Sequence, residues 1–134
     1  MTQYDTKYDV AIIGGGAAGL MCAIEAGKRG RSVVVIESGK SVAGKIRISG
    51  GGRCNFTNIH CRPSNFYSEN NHFCKSALKR YGPQEFIRMV ENHDIAYHEK
   101  TLGQLFCDNS ANDIITMLVK ECDWAGVKIK TNEM

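Results

Sequence analysis

Gly14-Gly15-Gly16-Ala17-Ala18-Gly19 is the segment whose residue types and spacing point most directly to chemistry. It matches the pattern GxGxxG, and an acid, Glu37, follows 23 positions after Gly14. Such a motif carries meaning when it leaves a strand, opens a helix and is followed by an acid at the end of the next strand. Gly14 then permits a tight turn, Gly16 lets the backbone approach a pyrophosphate with no Cβ in the way, and Gly19 lets the helix pack closely on the sheet. Unpaired N–H groups at the helix start, from Gly16, Ala17 and Ala18 onward, face the phosphates. Glu37 is placed to accept hydrogen bonds from adenosine ribose hydroxyls, and its charge would repel a 2′-phosphate, so NADP suits this site poorly.

A second constellation runs from Gly44 to Asn58, as GKIRISGGGRCNFTN. Gly50-Gly51-Gly52 can bring successive backbone N–H groups against an anion or a flat ring, and Lys45 and Arg53 stand on either side. Between Lys28 and Arg53 there are seven basic residues and one acid, a local excess of six positive charges in a chain of net charge +3. That concentration calls for an anionic partner, a phosphorylated small molecule or a nucleic acid. No nucleic-acid recognition motif is present and the phosphate site accounts for the charge. The expected partners are therefore a dinucleotide and a small-molecule substrate, with no specific nucleic acid.

The elements that must position these residues follow from periodicity. Tyr8 to Ile13 reads as a strand buried on both faces, and Leu20, Met21, Ile24 and Gly27 give a helical period that stops at Lys28-Arg29-Gly30. Val33 to Ile36 is a second apolar strand ending at Glu37, which completes a βαβ unit over residues 8–37. Residues 38–82 form a glycine-rich insertion in which Ile46 and Ile48 suggest a brief strand and Ser76 to Tyr81 a helix. Over residues 83–131 the pattern predicts a helix from Pro83, a hairpin over Ala96 to Phe106, and a helix opened by the capping sequence Ser110-Ala-Asn-Asp113. Gly126 ends that helix and Val127 to Lys130 reads as a third strand. The fold class is α/β: a Rossmann-like dinucleotide-binding fold with a parallel three-stranded core in spatial order 3-2-1, half of a doubly wound domain.

Composition narrows the remaining possibilities. With 43% hydrophobic and 23% charged residues, disordered and low-complexity classes fall away. No apolar run exceeds five residues, so no bilayer span or secretory core is expected, and the cytoplasm is the expected compartment. The six cysteines contain no CxxC pair and read as reduced thiols, with Cys22 and Cys122 as small hydrophobes within helices. His60, Cys61, His72 and Cys74 have no recognised metal spacing, so no metal site is expected. Cys54 beside Arg53 is a candidate low-pKa thiolate, with a passive role in a tight loop preferred. His93 and His98 are expected to face solvent. Phe56, Phe66, Tyr67 and Phe73 are expected to fill the core rather than stack on bases.

The runs GGGAAGLMCAIEAGKRGRSVVVIE, GKIRISGGGRCNFTN and GQLFCDNSANDII resemble the BaiN/YhiN-type bacterial flavoproteins, NAD(P)/FAD-dependent oxidoreductases of the aminoacetone-oxidase family. The first run is shared by many flavoproteins; the second is more specific. The resemblance implies FAD as the cofactor, with Gly14, Gly16, Ala17, Ala18, Gly19 and Glu37 on its ADP half. It places Lys45, Ser49, Gly50, Gly51, Gly52, Arg53 and Asn55 along the pyrophosphate and flavin. It implies hydride transfer between flavin and a small organic substrate, with Arg53 stabilising the reduced flavin and no proton donor identified. Cys107 stands where such proteins often carry proline, and they run to several hundred residues. Residues 1–134 are therefore expected to be an N-terminal FAD-binding portion without its downstream domain, inactive alone and prone to self-association. The alternative is a non-catalytic dinucleotide-binding module that needs another chain.

Overall fold

The structure, a computed structural model, describes residues 6–134. In chain order the elements are β1 (Val10–Ile13), α1 (Ala17–Lys28), β2 (Val33–Ile36), α2 (Gly44–Ile48), β3 (Asn55–Asn58) and α3 (Lys75–Arg80). They continue with α4 (Pro83–Asn92), β4 (Tyr97–Glu99), β5 (Gln104–Cys107), α5 (Asn112–Trp124) and β6 (Lys128–Lys130). The chain divides into two compact units, one comprising residues up to Ile46 with Ile115–Met134, the other Arg47–Ile114.

The first unit is built on a parallel sheet of order β1-β2-β6. Val10 to Ile13 lie in register with Val33 to Ile36, and Val34, Val35 and Ile36 with Lys128, Ile129 and Lys130. This is the expected parallel core in the expected order. Central β2 is a run of β-branched residues with Val33, Val34 and Val35 all buried, as a strand flanked on both sides requires. The expectation that β1 is buried on both faces does not hold: it alternates between half-buried and exposed, and Ile13 is 80% exposed. Lying at the edge of the β1-β2-β6 order, β1 is covered less than the central strand.

Helix α1 buries Leu20, Ala23 and Ile24 and ends where Gly30 takes φ +80° and donates to the Gly27 carbonyl. Cys22, two positions after Leu20, lies about 200° around the helix, so it is exposed rather than packed as expected. Cys122 is fully buried, with its thiol 3.9 Å from the Leu20 carbonyl. Burial pushes that thiol up to about 11, with the Glu121 carboxylate adding to the shift. Gly27 lets α1 meet the end of α5, since a Cβ there would fall 2.5 Å from the Ala125 carbonyl oxygen.

The second unit carries an antiparallel sheet of order β3-β5-β4. The expected hairpin forms β4 and β5, turning through Leu102 (φ +54°) and Gly103 (φ +79°). Strand β3 was not legible as a strand, because Asn-Phe-Thr-Asn carries only one apolar residue and its pairing shifts between Asn55 and Thr57. Helix α4 starts at Pro83, and the Gly82 N–H donates 2.8 Å to a Glu85 carboxylate oxygen, which lowers the pKa of that carboxyl. Ile46 and Ile48 lie in helix α2, not in a strand. Among the described residues neither belongs to one of the two sheets. Among the described residues no helix is long and apolar enough to cross a membrane.

Candidate functional site

The glycines of the first motif meet four different demands. Gly14 leaves β1 at φ +102°, a conformation that side chains disfavour, while its N–H bonds the Ile36 carbonyl at 2.8 Å. A Cβ on Gly19 would sit 2.0 Å from the Gly14 carbonyl oxygen, and one on Gly15 would sit 2.7 Å from Val42 Cγ1. Gly16 differs: its φ of −82° suits any residue, and a Cβ there would meet no atom within 4 Å. Neither backbone strain nor packing demands glycine at this position, and the open space beside it leaves room for a ligand to approach the backbone.

Gly16 is also the N-cap of α1, with no capping side chain and no acid in the first turn. The first-turn N–H groups of Ala17, Ala18 and Gly19 have no acceptor one turn back within the helix. Together with the positive end of the helix dipole they form a surface suited to an anion.

Glu37 sits at the carboxyl end of β2 and clamps the turn. One carboxylate oxygen accepts from the Gly15 N–H at 2.7 Å; the other accepts from the Gly39 N–H at 2.8 Å and the Ser38 hydroxyl at 3.4 Å. The Gly39 and Gly15 amides hold this carboxyl below its usual pKa, so it is ionised at neutral pH. Carboxylate oxygens each offer more than one acceptor site, so capacity remains for a ribose hydroxyl. The sequence spacing located Glu37 but not this bracing role. Lys45, on α2, is exposed in the same unit.

Ser49, Gly50, Gly51, Gly52, Arg53 and Asn55 lie together in the second unit, as a tight turn leading into β3. The three glycines take φ +55°, +65° and +85°. A Cβ on Gly50 would fall 2.6 Å from the Asn55 nitrogen and 2.8 Å from the Phe106 ring, whereas Gly51 and Gly52 have open space. The turn is fastened to the end of β5: Cys107 N–H donates to the Arg53 carbonyl at 3.0 Å, and Ala111 N–H to the Gly52 carbonyl at 2.8 Å. The Arg53 guanidinium donates to the Asp108 carbonyl.

Sequence reasoning missed the residues behind this turn. His98 stacks on Phe106 with centroids 6.4 Å apart, and its Nδ1 is 2.6 Å from an Asp108 carboxylate oxygen. Lys100 Nζ lies 4.9 Å over the same ring. His98 is exposed, as expected, and is also held by these partners. Phe106 and Asp108 stand within the GQLFCDNS run, the one sequence signal that pointed to them.

Cys54 is buried with φ +54°, and burial pushes its thiol up despite a hydrogen bond with Ser49. The low-pKa thiolate reading of Cys54 thus gives way to the passive one. Cys107 is fully buried and pushed up to about 12, by burial first and then by Cys54, Asp113 and Asp108. Among the described residues no group of three or more His, Cys, Asp or Glu could hold a metal ion. Of the four metal-ligating candidates, His60 and Cys61 line a cleft of about 350 Å³, and the Cys74 thiol lies 3.9 Å from the Pro63 carbonyl.

Comparison with known proteins adds to this geometry. A family profile described as "HI0933-like protein Rossmann domain" matches residues 8–134. A ribosomal RNA dihydrouridine synthase of Escherichia coli (strain K12) is 53% identical over 92% of this chain, which spans 31% of that protein. A 3-dehydro-bile acid delta(4,6)-reductase of Clostridium scindens is 30% identical over 91% of this chain and 30% of its own length. The chain thus spans about a third of these relatives. Among solved structures, a 3-ketosteroid-delta4-(5alpha)-dehydrogenase from Rhodococcus jostii RHA1 shares the fold. Its TM-score is 0.66 at 14% identity, over 98% of this chain and 39% of that one.

Proposed function

Because the chain belongs to the HI0933-like Rossmann-domain family, we propose that it is the FAD-binding portion of a flavin-dependent oxidoreductase. Gly16 carries the reading: an exposed, unstrained glycine at an uncapped helix start, beside a glycine turn braced by an ionised acid. The residues present fit the cofactor. Gly14, Gly16, Ala17, Ala18 and Gly19 would hold the pyrophosphate through backbone N–H groups, and Glu37 the adenosine ribose. Lys45, Ser49, Gly50, Gly51, Gly52, Arg53 and Asn55 are assigned to the pyrophosphate and flavin end, with the Arg53 guanidinium countering negative charge on the reduced ring. FAD bound there supplies, when reduced, a hydride for a substrate carbon.

The relatives' names narrow the substrate chemistry. Making dihydrouridine adds two hydrogens across the uracil C5=C6 bond, which is conjugated to the C4 carbonyl. A 3-oxo steroid unsaturated at C4 and C6 presents the same enone. Saturating the enone bond in either molecule would place a hydride on the carbon β to the carbonyl and a proton on the α-carbon. The relative named for RNA shares far more identity than the one named for bile acids. The reading adopted is therefore an oxidoreductase whose substrate is a uracil base in RNA. This departs from the expectation of no nucleic-acid partner, which rested on the lack of a recognition motif.

The test is the visible absorption spectrum of the purified protein, with identification of the flavin released on denaturation. FAD bound, or FAD affinity above that for NAD and NADP, is the expected result. No flavin and no affinity for added FAD would overturn the proposal. In flavin-bearing protein, a two-hydrogen mass gain on uridine in RNA checks the substrate.

A further inference from the structure

The four aromatics expected to fill the core divide into two groups. Phe56 does so, packing on Phe86 at 6.0 Å and edge-on to Tyr97 at 5.6 Å. Phe66, Tyr67 and Phe73 do not: they are 40%, 94% and 53% exposed. Single exposed apolar residues need no explanation, but here three aromatics fall within eight residues. Phe66 and Phe73 are in edge contact at 6.5 Å, and the Cys74 thiol near the Pro63 carbonyl ties the same two segments together.

Charge surrounds them. Lys75, Lys79 and Arg80 are exposed on α3, and Arg62 is exposed just before Phe66. From Ile59 to Tyr81, four cations face one acid, Glu69. Among the described residues none of these four cations is in an ion pair. Phe66 also lines the cleft of about 350 Å³, whose other walls are Asn58, His60, Cys61, Asn65 and Leu102. The cleft thus offers amide and imidazole groups beside an aromatic face.

We propose that Phe66, Tyr67 and Phe73, flanked by Lys75, Lys79 and Arg80, form a contact surface for single-stranded RNA. Unpaired bases present π-faces that stack on exposed rings, and the phosphates between them meet the cations. The interleaved positive charge argues against an apolar protein partner, and a duplex would keep its bases from the rings. The proposal rests on the reading of the substrate as a base in RNA and names where a strand would be held in the second unit.

Fluorescence anisotropy with a uridine-containing single-stranded RNA tests it, with FAD affinity measured on the same preparations. Tyr67→Ala should weaken RNA binding between about fivefold and a hundredfold, the range for one lost base stack, and Tyr67→Phe should restore it. The variant with Lys75, Lys79 and Arg80 all changed to Gln should lower the log–log salt slope by about two. FAD affinity and thermal stability should be unchanged in each. A chain that binds FAD but no RNA, variants that bind RNA as the unchanged chain does, or equal competition by duplex RNA would overturn this surface. RNA binding lost as predicted in a chain without FAD affinity would overturn the flavin assignment alone.

Discussion

Two alanine substitutions only three residues apart should separate what the fold needs from what the ligand needs. Gly19→Ala puts a Cβ 2.0 Å from the Gly14 carbonyl oxygen, at least 1 Å inside any contact a real Cβ makes. Backbone faces it, so α1 must move off the sheet, and overpacking of this kind costs about 1–3 kcal/mol or more. At a few degrees per kcal/mol, the melting temperature should fall by roughly 5–10 °C. Gly16→Ala puts its Cβ in open space at φ −82°. Glycine ranks well above alanine as an N-cap, so its loss costs on the order of 1 kcal/mol, and the stiffer unfolded chain returns about 0.4–1 kcal/mol, so the melting temperature should fall by no more than a few degrees. The methyl nevertheless stands where a pyrophosphate would reach the first-turn N–H groups. Each charge-assisted hydrogen bond lost is about 1.5–3 kcal/mol, or roughly 10- to 100-fold in FAD affinity. Thermal unfolding and a flavin-fluorescence titration on both variants decide the matter. A Gly16→Ala variant that binds FAD like the unchanged chain, or one that melts as low as Gly19→Ala, refutes the assignment.

Other substitutions bear on separate parts of the argument. The Glu37 carboxyl is lowered from about its usual 4.5, so its contribution is present above that pH and is lost as pH falls through the folded value. Glu37→Gln should therefore reduce thermal stability at neutral pH and make little difference well below 4; an equal deficit at both pH values would contradict the clamp. Gly50→Ala should destabilise markedly more than Gly51→Ala, because both have positive φ but only Gly50 faces the Asn55 nitrogen and the Phe106 ring. Equal melting temperatures for the two would show that Phe106 does not seat the turn. Timed alkylation followed by mass spectrometry should label exposed Cys22 first and buried Cys54, Cys107 and Cys122 only on unfolding; early labelling of Cys54 would restore its candidacy as a reactive thiol.

The legible part of the fold was the part with strong periodicity. Val33-Val34-Val35-Ile36 and the α1 stripe announced a parallel core because one is an unbroken apolar run and the other a sustained helical period, while the strand ending at Lys130 showed only as the alternation Val127-Lys128-Ile129-Lys130. Strand β3 escaped notice because Asn55, Thr57 and Asn58 are polar and only Phe56 anchors it, on Phe86 and Tyr97. The same locality explains the site. GxGxxG and Glu37 are readable because their meaning lies in spacing along the chain. The support of the second glycine turn by Asp108 and Phe106 depends on pairing across more than 50 residues, which no local pattern encodes.

Charge shows the same limit. The excess of positive charge between Lys28 and Arg53 pointed to one anion-facing segment, but α1 disperses it. A twelve-residue helix is about 18 Å long, and it sets Lys28 and Arg29 at the end opposite Gly16. There Lys28 pairs with Glu121 at 3.1 Å and Arg29 with Glu25 at 3.7 Å, while the Asp9 carboxyl, lowered chiefly by hydrogen bonds from Ser32, also feels Arg31. These cations complement a helix C-terminus and local acids, and one nitrogen of the Arg53 guanidinium donates to the Asp108 carbonyl, far along the chain from the first motif. The anion-binding capacity of the first motif consequently rests on backbone N–H groups more than on side-chain charge, which is why Gly16, rather than any lysine, is the residue that tests it. A further set of exposed cations lies along the chain at Arg62, Lys75, Lys79 and Arg80. In those positions positive charge accompanies exposed rings instead of a helix end, and the proposed RNA contact rests on that pairing.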